Sequence, residues 1–245
     1  VSNVFADFGS GLTAFEAPLD ARLAFMRRTY VHLTAAIGLL VASSWTFYEA
    51  HVGERMAEWV GGHGVFGLLL LFGGLMAVTW VASGLATSSR NPGLQYLGLA
   101  MYALAMAVLL APMLTFAVKA FPGAHLLEVA ASLTILTFGG LSGYVLTTKK
   151  DLSFLGPILG IAFLVVMGVI VASMIFGFSL GLWYSAAMIL FAAGSILYQT
   201  SNIVHRYRTD QHVAAALGLF ASVVMLFVQI LSLLIELQGG GRRRS

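Results

Sequence analysis

Residues 155–175 read LGPILGIAFLVVMGVIVASMI, an unbroken apolar run without one charged side chain. A helix rises about 1.5 Å per residue, so a run of about 20 apolar residues spans the ~30 Å hydrocarbon core of a bilayer. Transmembrane β-strands would instead alternate in segments of about ten residues. Working outward, six more runs of the same kind appear, giving seven predicted spans: Thr29–Tyr48, Val65–Leu85, Leu94–Val118, Leu126–Thr147, Leu155–Ile175, Leu182–Ile203 and His212–Leu237. The fold class expected is therefore all-α, a polytopic membrane protein of seven helices.

Composition says the same. The chain of 245 residues is 59% hydrophobic and only 9% charged, with mean hydropathy +0.92. A soluble domain carries about 25% charge to cover its surface. The absence of Cys removes disulfides, thiolate metal sites and a Cys nucleophile. Net charge +3 does not point to nucleic acid, because the Lys and Arg residues lie between apolar runs and form no broad basic face. Three segments are expected: an N-terminal tail over 1–28, a membrane domain over 29–237 and a short basic tail over 238–245. The one longer connection is expected near Glu49–Gly64.

Loop charge sets the expected orientation. Arg22, Arg27, Arg28, Arg90, Lys149, Lys150, Arg206 and Arg208 fall on the N-terminal side, against Arg55 and Lys119 opposite. The positive-inside rule then places the N-terminus in the cytoplasm and, after seven spans, the C-terminus outside. Arg242, Arg243 and Arg244 oppose that bias, and a re-entrant last segment is the rival arrangement.

No Asp, Glu, Lys or Arg lies near the middle of a span, which argues against a pump or proton relay. The polar residues singled out are Ser195, Gln199 and Asn202, one helical face at spacings of four and three, with Ser222 and Gln229 on the last span. Two readings are open for them: interhelical hydrogen bonding, or the polar floor of a cavity. His32 and His205 sit at the cytoplasmic rim and are the candidates for a pH response. His51, His63, Glu54 and Glu58 share the first outer loop, but nothing resembles a metal-binding signature. No catalytic residue and no cofactor is expected. Gly156 and Gly160 form a small-xxx-small pair, and Pro112 is expected to kink the third span.

Several stretches together carry a family resemblance: MRRTYVHLTAAIGLL at 26–40, APMLTF at 111–116, SGYVLTTKKDLSFLGPIL at 142–159, ILYQTSNIVH at 196–205 and AAALGLFASVVMLFVQILSLL at 214–234. They resemble the Bax-inhibitor superfamily, and within it the bacterial YccA-like group. The resemblance implies a seven-helix bundle whose last helix is central, in a bacterial inner membrane. It implies two activities. One is modulation of the membrane-anchored AAA protease FtsH, with the chain also a possible substrate. The other is a pH-sensitive calcium leak gated by two acidic residues. By motif those gate positions fall on Gln199 and Ser222, neither of which can titrate, and the second span holds no basic partner. A third reading is a structural subunit of a larger membrane assembly. The partners implied are the lipid bilayer and an FtsH-type protease.

Overall fold

The computed structural model describes residues 13–88, 91–177 and 181–242, and Arg90, Arg243 and Arg244 lie outside the described residues. Among the described residues seven helices follow in chain order: α1 Leu19–Glu49, α2 Val52–Ala86, α3 Pro92–Ala120, α4 Leu126–Thr148, α5 Leu155–Phe176, α6 Gly181–His205 and α7 His212–Arg242. All seven are long and apolar enough to cross a membrane. The fold is all-α and polytopic.

Two helices begin earlier than hydropathy indicates. α1 starts at Leu19, so Arg22, Arg27 and Arg28 ride on its first turns rather than in a tail. Residues 19–28, LDARLAFMRR, are strong helix formers behind Pro18, and Asp20 complements the positive helix end. The expected loop at Glu49–Gly64 is also mostly helical. α2 starts at Val52 and runs to Ala86, broken only at Gly64, whose φ of 57° and ψ of −141° are not helical. Charged positions lower hydropathy without lowering helix propensity, and a hydropathy window cannot separate the two.

Local chemistry fixes the other ends. The Asn91 side chain accepts the Gly93 N–H at 2.9 Å, and Pro92 occupies the first helical position of α3, where its missing N–H costs nothing. α3 continues as one helix through Pro112. α5 ends at Gly177, with φ of 71° and its N–H on the Ser173 carbonyl at 2.9 Å. α4 ends at Lys149, which takes the same left-handed conformation without being glycine.

The helices form two compact units. The first comprises Ala17–Pro122 and Arg208–Phe220, and the second comprises Thr13–Glu16, Gly123–Tyr207 and the chain from Ala221 onward. In the first, α2 and α1 both pack along α3. Contact there is close at two glycines: Gly53 lies against the Ala111 carbonyl and the Thr115 hydroxyl, and Gly98 against the backbone of Ala82 and Ala86. Within this unit the Phe220 ring meets Tyr102 edge-on at 6.0 Å. In the second unit α4 and α5 both pack on α6. α7 supplies its first turns to one unit and the rest to the other. It is the most buried of the seven, at 44% of its apolar window against 0% for α5.

Candidate functional site

The second unit gathers polar side chains along α6. Its buried residues Ser185, Met188, Ala192, Ile196, Thr200 and Ile203 recur at spacings of three and four, which marks the inward face. Thr200 lies 3.3 Å from Ser142 of α4, hydroxyl to hydroxyl. Ser201 accepts the Leu152 N–H at 2.8 Å, fastening the α4–α5 loop to α6. Asn202 is buried, its carbonyl accepts the N–H groups of Arg206 at 2.8 Å and Tyr207 at 2.9 Å, and its side-chain Oδ1 has no hydrogen-bond partner. At the far end of the helix Ser185 donates to Glu236 Oε1 at 3.3 Å, while Glu236 Oε2 is buried without a partner.

The loop beside Ser201 is electrostatically set. Asp151 accepts from the Ser153 N–H at 2.9 Å and from the Ser153 hydroxyl. These two bonds hold its carboxyl below the ordinary range, with His205 and Arg206 contributing further and partial desolvation opposing them. Burial, aided by neighbouring Tyr198, pushes the Tyr207 phenol up, so it stays neutral.

The residues ahead of α1 close over this end. Ala14 is fully buried and donates to the Tyr207 carbonyl at 2.9 Å. Phe15 stacks on His205 with centroids 5.3 Å apart, and the His205 Nδ1 lies 3.1 Å from the Ser201 carbonyl. Thr13 donates its hydroxyl to Glu16 at 2.9 Å, closing the turn between them. Part of the segment read as a tail is therefore seated on the α6–α7 loop.

Of the polar residues chosen from sequence, Asn202 and Ser222 are buried, while Ser195, Gln199 and Gln229 are half-buried. Sequence reasoning passed over Thr200, Ser201 and Ser142. The inward spacing of α6 could have pointed to Thr200, but nothing local marks Ser142 as its partner.

The two candidate histidines belong to different units. His205 lies under Phe15, as above. His32 stacks on Tyr96 at 5.1 Å, nearly parallel, and sits 5.0 Å from the His212 ring. Its Nδ1 meets the Arg28 carbonyl at 2.7 Å. In the first outer connection Glu54 pairs with Lys119 and, at 2.9 Å, with His51. His63 instead stacks on Trp59 at 4.7 Å and bonds to its carbonyl. Among the described residues no group of three metal-ligating side chains converges.

The model of the family "Inhibitor of apoptosis-promoting Bax1" matches residues 22–239. An uncharacterized protein of Pseudomonas aeruginosa is 37% identical over 129 residues, 52% of this chain and 58% of the relative. The "Modulator of FtsH protease YccA" of Escherichia coli K12 is 39% identical over 127 residues, 51% of this chain and 57% of the relative. The chain thus spans somewhat over half the length of these two relatives. A vaccinia virus "Golgi anti-apoptotic protein" is 26% identical over 234 residues, 95% of this chain and 94% of the relative. With a family match that takes in all seven helices and YccA among its relatives, the chain belongs to the Bax-inhibitor family, in its YccA-like group.

Proposed function

We propose that the chain is a membrane-integral modulator of an FtsH-type protease, in a bacterial inner membrane with its N-terminus in the cytoplasm. The observation that carries this reading is the 39% identity to a protein named for that activity. A second relative named an inner membrane protein, at the same identity, supports the location. The seated segment Thr13–Ala17 supports a mechanism. A protease that pulls from the N-terminal side must first strip Ala14 from Tyr207 and Phe15 from His205, then unravel α1. A bundle that resists this pull occupies the protease. No catalytic role is assigned. A pH-gated leak is the weaker reading, because Gln199 and Ser222 stand where the family's acidic pair would stand.

Purification in mild detergent from cells containing FtsH tests the reading. Stoichiometric co-elution with the protease, and slowed turnover of another substrate when the chain is overproduced, are the expected results. Co-elution with unrelated subunits would favour the assembly role, and calcium flux from liposomes holding the chain alone would favour the leak. Reporter fusions after Leu237 address orientation: activity of a reporter that works only in the cytoplasm would defeat the seven-span topology.

A further inference from the structure

Two grooves flank α1 in the first unit. One, of about 250 Å³, has His32 and Tyr96 at its mouth and Ala35, Ala36, Leu39, Leu99 and Ala100 along its floor. The other, of about 520 Å³, is lined by Arg27, Tyr30, Val31, Thr34 and Ala35. Ala35 borders both. The Thr34 hydroxyl is spent on the Tyr30 carbonyl at 2.9 Å, so it adds no polarity to the groove. The larger groove is cationic at its Arg27 end, the smaller carries the His32 imidazole, and both are apolar beyond.

Arg27 and Arg28 are exposed, and neither takes part in the ion pairs among the described residues. The nearby acid Asp210 is engaged with Arg208 at 3.4 Å. Asp20 lies about two turns back along α1. A guanidinium at the edge of a hydrocarbon layer gains strongly from an anion, and its fork matches phosphate oxygens. The stretch from Arg28 to Leu39 rises about 16 Å, the thickness of one leaflet's hydrocarbon. Charge at the rim and a trough of one-leaflet depth together describe an amphiphile.

We propose that α1 seats a two-chain phospholipid of net negative headgroup, of the phosphatidylglycerol class. The phosphate lies on Arg27 and Arg28 with His32 beside it, and one acyl chain lies in each groove astride Ala35. The selectivity comes from the headgroup. A zwitterionic phospholipid carries its own ammonium, which cancels the attraction that two guanidinium groups in no ion pair among the described residues provide.

Native mass spectrometry of the detergent-purified chain tests this by titration with phosphatidylglycerol and phosphatidylcholine of matched acyl chains. The expected result is one phosphatidylglycerol retained at least tenfold more tightly. The pair Arg27→Gln/Arg28→Gln removes the preference, on the order of tenfold or more from two charges. Ala35→Leu fills the trough between the grooves and weakens binding while keeping every charge, so the proposal stays testable if the arginine pair fails to fold. Lys149→Gln/Lys150→Gln, which removes two cations of the second unit, leaves the preference intact. Equal retention of the two lipids would overturn the proposal, as would an equal loss in the Lys149/Lys150 variant. Displacement of the lipid by glycerol phosphate at equal concentration would also overturn it, since that marks a free-anion site. A dimer abolished by Ala35→Leu would assign the groove to a second copy instead.

Discussion

The two units hold their helices together by different chemistry. In the first, α2 and α3 approach on bare backbone at Gly53 and Gly98, and the tie between Glu54 and Lys119 lies at the helix ends. In the second, hydroxyls cross from element to element: Ser142 to Thr200, Ser201 to the Leu152 N–H, Ser185 to Glu236. Lipid is as apolar as leucine, so burial of apolar area cannot drive helices together inside a bilayer. Close backbone approach and interhelical hydrogen bonds are the remaining means, and this chain uses one predominantly in each unit. The polar unit also carries YVLTTKKDLSFLG and YQTSN, the stretches most telling for the family.

The sharpest way to break the contrast is Gly98→Ala. A Cβ there would lie under 3.0 Å from the Ala82 carbonyl oxygen and the Ala86 nitrogen, both backbone atoms that cannot rotate aside. A loss of about 1–3 kcal/mol is expected, measured by thermal or denaturant unfolding in detergent. A neutral result would mean that α2 and α3 slide freely, and that close approach is not what joins them.

Next comes Ser201→Ala, which leaves the Leu152 N–H without its acceptor. A loss of about 1 kcal/mol is expected, with faster hydrogen exchange at Leu152 and little change in the first unit. Thr200→Val keeps the shape and removes one hydroxyl of the Ser142 pair. About 0.6 kcal/mol is the expected cost. A much larger value would show that this pair belongs to a cooperative network with Asn202.

The smallest effect is local and depends on pH. Asp151 has a folded pKa below its unfolded value, so its contribution is full above the ordinary carboxylate range near pH 4 and is lost as pH falls below that range through the folded pKa. Exchange of the Ser153 amide should accelerate on acidification. Asp151→Asn keeps an acceptor for that amide and should abolish the acid dependence.

Much of this architecture is legible without coordinates. The five later spans read from hydropathy lie within α3 to α7, because an uncharged run of twenty residues has few alternatives in a membrane. The starts of α1 and α2 were not legible. Arg22, Arg27, Arg28, Glu54, Arg55 and Glu58 mark those segments as polar, and polarity alone does not distinguish a solvated helix from a loop. The stop at Lys149 was equally hidden, since a left-handed cap is normally announced by glycine. At the candidate site Asn202 and Ser222 could be named as polar residues on apolar helices, and both are buried. The pairing of Ser142 with Thr200 depends on how α4 and α6 pack across 58 positions of chain, which no local pattern encodes.

The break in α2 has a consequence for chirality. A Cβ at Gly64 would meet nothing within 4 Å, so room is not what reserves that position for glycine. Handedness is. Reversing the sign of its angles gives −57° and 141°, the neighbourhood of the polyproline II basin. An alanine of inverted configuration would therefore rest at position 64 without strain, whereas the natural L-form would be forced into a region that glycine alone occupies freely. The joint between the two segments of α2 is thus specified by the absence of a stereocentre.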